Sequence, residues 1–155
     1  MSQALRIPAR GDGYALSAGL FLPEGPPKAA VLLAGAMAVP ARFHAPLARY
    51  IAEESAAALT LDYRGIGGSR PEGSLRGFHA TFHDWGERDL GGAVDWLADR
   101  FPGLPLLWSR WGRDPRYVYS YAEPRGRLGY TRYAGPLLGM SIMDTARWLL
   151  AHRIS

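Results

Sequence analysis

Serine hydroxyls, histidine imidazoles and carboxylates are the groups with which this chain could do covalent chemistry. It contains no cysteine, so thiolate nucleophiles, thiolate metal sites and disulfide frameworks are excluded. A nucleophilic serine on a strained strand-to-helix turn needs small residues two positions away on either side. Gly139-Met140-Ser141-Ile142-Met143 supplies the first but has Met143 at the second, so Ser141 reads as a strand-end serine. Gly67-Gly68-Ser69-Arg70-Pro71 lacks the last glycine as well. His79 and His83 stand at i, i+4, yet no single helix clearly holds both and no carboxylate pattern completes a metal set. With His44, they read as surface or capping residues. Gly65-Ile66-Gly67-Gly68 lacks the third glycine of a dinucleotide loop and a Gly-Lys-Ser/Thr ending. It reads as a sharp turn that needs positive φ. No cofactor and no metal are expected.

The elements that must position these groups follow from periodicity. The run before Pro8 and Tyr14 to Phe21 read as strands joined by a Gly11-Asp12-Gly13 turn. Ala29 to Ala34 is a continuous apolar run between Pro26-Pro27 and Gly35, which suits a strand buried on both faces of a parallel sheet. From Phe43 to Ser55 the apolar positions Phe43, Leu47, Tyr50 and Ile51 recur at helical spacing. A fourth strand follows at 56–61. Thr81 with Asp84 three residues on predicts a helix start, and Leu90, Val94, Leu97 and Phe101 lie on one face. Pro102-Gly103 stops it, and Leu104 to Trp108 is the fifth strand. The alternation of strands and helices predicts a three-layer α/β sandwich with a mostly parallel sheet.

At 155 residues and 48% hydrophobic the chain is expected to be a single domain. Beyond Trp108 the texture changes. Residues 109 to 133 are dense in Arg, Tyr and Gly, and predict a short helix around Asp114 to Tyr121 followed by a loop. Gly135 to Ser141 predicts a strand and Asp144 to Ala151 a terminal helix. The net charge of +4 is uneven: residues 100 to 155 carry nine Arg against three acids. The opening residues lack a basic start and apolar run, and no apolar stretch reaches about 18 residues, so a cytoplasmic protein is expected.

Three segments together carry a family resemblance: Val31-Leu-Leu-Ala-Gly-Ala-Met-Ala-Val-Pro-Ala-Arg-Phe43, then Leu59-Thr-Leu-Asp-Tyr-Arg-Gly-Ile-Gly-Gly-Ser69, then the helix ending Asp95-Trp-Leu-Ala98. They resemble the α/β-hydrolase superfamily, in particular its serine aminopeptidase-like branch, over residues 14 to 108. The resemblance implies that the turn after the third strand donates a backbone N–H to an oxyanion hole, which by position is Ala36 or Met37. It also implies Gly-x-Ser-x-Gly after the fifth strand, where this chain has Ser109-Arg110-Trp111-Gly112-Arg113. Trp108 to Tyr117 resembles the helix leaving the lid, and Arg132 to Asp144 the later strand that ends in the triad acid. Asp144 is thereby the candidate acid. The block bearing the elbow would then have been lost between Trp108 and Trp111. The family histidine follows one further strand, and the chain stops eleven residues beyond Asp144. His152, eight residues from Asp144, is a poor substitute.

The expectation is a hydrolase-type protein of ester, thioester or peptide-bond ancestry, inactive because its catalytic set is incomplete. Its partner would be a small acyl substrate, with no membrane. Loss of the elbow helix would expose the fifth strand and favour self-association through that sheet edge, unless Pro136 to Ser141 covers it. The alternative is nucleic-acid binding by Arg110, Arg113, Arg116, Arg125, Arg127 and Arg132 interleaved with Tyr117, Tyr119, Tyr121, Tyr130 and Tyr133. No recognised binding motif accompanies them, so this is the less favoured reading.

Overall fold

In the computed structural model the described residues are 1–35, 38–110, 119–121 and 131–132, those from 109 onward by backbone alone. Among them, β1 (Ser2–Pro8) and β2 (Ala15–Phe21) form an antiparallel hairpin in full register from Ser2 opposite Phe21 to Pro8 opposite Ala15. Its turn is the expected one. Ala9 N–H donates to the Tyr14 carbonyl at 2.9 Å and Tyr14 N–H to Asp12 Oδ1 at 3.1 Å.

The parallel centre consists of β3 (Ala30–Ala34), β4 (Ala57–Leu61) and β5 (Leu106–Arg110), with β3 in the middle. β2 joins β4 antiparallel. On the far side the short strands β6 (Tyr119–Tyr121) and β7 (Thr131–Arg132) are added antiparallel, giving the order β1-β2-β4-β3-β5-β6-β7. The sheet is therefore mixed, with its parallel part confined to three strands. β6 corrects two expectations: Tyr119 to Tyr121 is strand rather than helix, and it pairs the β5 edge that was expected to lie open. The segments expected as a strand at 135–141 and a helix at 144–151 lie outside the described residues.

Every residue of β3 and β4 is buried, because a helix covers each face. On one face Leu32, Ala34, Leu59 and Leu61 pack with Ala93, Val94 and Leu97 of α2 (Gly91–Arg100). On the other, Val31, Leu33 and Ala58 pack with Ala48, Ile51 and Ala52 of α1 (Ala45–Glu53). α1 starts later than the periodicity suggested. Pro46 sits in its first turn, where a missing N–H costs nothing. Residues 41–44 form a 3-10 turn, which leaves Phe43 63% exposed instead of on the buried stripe.

The second helical segment opens with the expected cap. Asp84 N–H donates to Thr81 Oγ1 at 3.1 Å, and the Asp84 carboxylate accepts from Thr81 N–H at 2.9 Å. Residues 84–90 are π-helical before α2 continues as α-helix. Leu90, Val94, Leu97 and Phe101 are all buried as the spacing predicts. α2 crosses close to the end of β1. A Cβ on Gly92 would collide with the Pro8 carbonyl and lie 2.8 Å from Ala9 Cα, so only glycine allows this approach. Among the described residues no helix is long and apolar enough to cross a membrane.

Candidate functional site

In an open α/β sheet, ligands are received where loops leave the carboxyl ends of the strands and diverge to opposite faces. Here the loop after β3 leads to α1 on one face and the loop after β4 leads to α2 on the other. Asp62 ties them together. Its Oδ1 accepts from Ala41 N–H at 2.6 Å, at the end of the β3 loop, and its Oδ2 accepts from Gly68 N–H at 2.8 Å, in the β4 loop. The side chain is buried in the sheet edge, where each such charge-assisted bond is stronger than a neutral one.

The rest of the Asp62–Ser69 segment is consumed in holding its own shape. Ser69 Oγ donates to the Asp62 carbonyl at 2.6 Å and accepts from Ser17 N–H at 2.7 Å. Gly67 has φ +47, and a Cβ there would land on the Asp62 carboxylate. The turn reading of the glycine loop is thus the one the geometry supports, and Ser69 is a bracing hydroxyl.

Arg64, also buried, points away from the edge into a chain of charges. Its backbone N–H and Nε each donate to Asp89 at 2.8 Å, and its Nη1 lies 2.7 Å from Asp12 Oδ2. Asp12 also meets Arg88, which reaches Asp84. The guanidinium further stands 5.1 Å from the Tyr14 ring. The Arg64 hydrogen bond holds the Asp12 carboxyl down at about 2. Burial pushes Asp89 up, against the three donors that Arg64 offers it. Burial also opposes the charge on Arg64, but its two carboxylate partners raise its pKa further. Neither Asp12 nor Asp89 stood out in the sequence. The only available signal was the hairpin aspartate at a glycine turn, which reads as local turn chemistry.

Beneath the β3 loop lies His44. It is 5% exposed and makes no side-chain cap bond to α1, which corrects its reading as a surface or capping residue. The 3-10 turn swings it inward, so that Nε2 lies 3.1 Å from where a Cβ on Gly35 would sit. Burial holds its pKa below the ordinary value, with Asp62 pulling the other way. Ala38 in the same loop is held at φ +63, a left-handed conformation that costs a non-glycine residue about 1–2 kcal/mol.

Ala36, Met37, Ser141, Asp144 and His152 lie outside the described residues. His79 sits in a coil and His83 in the helical turn after it, both exposed. Among the described residues no three His, Asp or Glu side chains cluster as a metal set. Ser109, the first serine beyond the apolar part of β5, is in regular strand opposite Leu33, and Arg110 is opposite Ala34.

No protein-family model and no curated protein matches the chain by sequence. Solved structures do match by shape. A lidless α/β serine hydrolase from Xanthomonas campestris superposes with a TM-score of 0.57 at 17% identity, over 72% of this chain and 50% of that one. A thermostable carboxyl esterase from Bacillus coagulans gives 0.57 at 13% identity, over 69% of this chain and 35% of that one. An α-β serine hydrolase homologue from Coxiella burnetii gives 0.55 at 13% identity, over 71% and 51%. This chain thus spans between about a third and a half of the length of these structures. Over the described residues it has the α/β-hydrolase fold.

Proposed function

We propose that this chain is a hydrolase-type α/β protein, of serine-hydrolase descent, that does not itself form an acyl-enzyme. Descent is supported by the fold, by the serine hydrolases and esterases among its structural neighbours, and by the Asp62–Ser69 segment at the carboxyl end of β4. The observation that carries the inactivity is the run of β5 through Ser109 and Arg110 in ladder register with Leu33 and Ala34. A nucleophile elbow needs the chain to turn sharply at the end of this strand, with small residues flanking the serine. Here an extended Ser109 is followed by Arg110 and Trp111.

The test is direct. The purified protein should take no label from a fluorophosphonate probe and hydrolyse short p-nitrophenyl esters no faster than a heat-denatured control, since an acyl intermediate needs an activated nucleophile. Stoichiometric labelling at any serine, mapped by peptide mass, would overturn the reading.

A further inference from the structure

We propose that the outer edge of β1 is a self-association surface, on which a second copy of this chain adds its own β1 antiparallel and centred on Ala4. Among the described residues no strand pairs this edge. Which backbone groups it presents follows from the ladder with β2. Met1 and Leu22 exchange both bonds, at 2.9 and 3.0 Å, and Ala9 N–H bonds Tyr14. Alternation along the strand then turns Met1, Gln3, Leu5 and Ile7 toward β2, and Ser2, Ala4 and Arg6 outward.

The open stretch ends at Arg6. The Pro8 carbonyl, next in the outward series, is met by α2 at Gly92, and Arg10 N–H is taken by the Arg88 carbonyl at 2.8 Å. A strand laid along Pro8 would meet the helix. A two-fold pairing confined to Ser2–Arg6 has its midpoint at Ala4 and satisfies every outward group there. Ala4 faces Ala4 of the second copy, and Ser2 faces its Arg6 twice over. That makes six backbone hydrogen bonds, by the ladder pattern of exchanged pairs. The second copy's Pro8 then falls two positions beyond Ser2, outside the first copy's β1.

The usual guards of an exposed edge are weak here. The strand has no bulge, and its one charged side chain, Arg6, leans back across β2 to donate to the Gly68 carbonyl at 2.8 Å. The pairing is isologous, as a closed dimer requires. It also brings no like charges face to face.

Sedimentation velocity on the full chain tests this. The wild type should show a concentration-dependent monomer–dimer equilibrium. Ala4→Pro removes the central outward N–H and leaves the inner ladder with β2 intact, so it should be monomeric and melt as the wild type does when dilute enough to be monomeric. Ser2→Glu sets a carboxylate opposite Arg6 twice and should tighten the dimer roughly two- to thirtyfold. Ser2→Arg should weaken it, and Ser2→Arg with Arg6→Glu should restore it. A monomer at every soluble concentration overturns the proposal. So does a dimer indifferent to Ala4→Pro, or a double variant that associates no better than Ser2→Arg. The Ser2 series keeps the test decisive if Ala4→Pro fails to fold.

Discussion

Asp62 holds two loops at the carboxyl end of the sheet, one on each of its oxygens. Asp62→Ala should lower stability by about 3 kcal/mol in urea titration, leaving two N–H groups without their acceptor. Amide exchange at Ala41 and Gly68 should quicken together. An effect on Gly68 alone would mean that the β3 loop is held some other way. His44 offers a second check, through pH. Its folded pKa lies below the ordinary value of about 6.5, so the unfolded chain takes the proton first. Stability should be flat above pH 7 and fall as pH drops below about 6.5, reaching a floor once the folded imidazole also protonates. His44→Gln should lack that slope in melting curves from pH 8 to 5. At this scale the sequence revealed the Asp62–Ser69 segment but not its partners. Asp12 and Asp89 reach Arg64 from 52 and 25 residues away, and no local spacing encodes a contact made by the fold. The burial of His44 follows from the 3-10 turn at 41–44, which the helical spacing from Phe43 does not announce.

Among the elements, α1 has a defined stop. Ala56 N–H returns to the Ile51 carbonyl and Ser55 N–H to that of Ala52, each at 3.1 Å. These are the paired bonds of a Schellman ending, with Ser55 at φ +68. Glycine is the residue suited to that position, so Ser55→Gly should raise stability by about 0.5–1 kcal/mol in the same urea assay. A loss of stability would show that the serine hydroxyl contributes more than the backbone strain costs. The elements up to β5 were legible because each rests on a strong pattern: two-faced apolar runs for β3 and β4, a capping pair at Thr81 and Asp84, a four-residue stripe from Leu90 to Phe101 along the second helical segment. Where pattern gave out, so did the reading. Tyr119 to Tyr121 does carry a strand signal, since Tyr117, Tyr119 and Tyr121 alternate with Val118 and Ser120, but the density of Arg and Gly around it hides the run, and its place is set by the edge of β5. The π-helical stretch at Asp84–Leu90 likewise leaves no trace in the spacing.

For the molecule as a whole, the charge distribution makes a separate claim from the fold. The Arg-rich residues 100 to 155 should give weak binding to single-stranded RNA that disappears steeply with salt, as charge neutralisation alone requires. Tyr117→Ala and Tyr119→Ala should leave gel shifts unchanged. Loss of binding in both variants at moderate salt would instead indicate stacking platforms and favour a nucleic-acid function. The fold class could be read from the order of elements, since a strand buried on both faces demands a helix layer on each side. The β1–β2 hairpin was legible from its glycine turn, but its docking on β4 and the addition of β6 to β5 were not, because which strands become neighbours is decided by contacts distant in sequence.

That distance bears on how the protein is made. The β1–β2 hairpin is synthesised before its partners: β2 pairs with β4 at 58–61, and the hairpin end is fastened by Arg64 and by an Arg10–Asp95 ion pair 85 residues apart. A two-stranded hairpin alone is marginal in water. At about 5–20 residues per second, roughly 4 to 17 seconds pass between synthesis of Arg10 and of Asp95. Throughout that interval Ile7, Leu16 and Leu20, which end fully buried, have no helix to cover them. The nascent chain therefore presents the apolar face of this hairpin uncovered through that interval, and a holding chaperone at the tunnel exit would find a grip there.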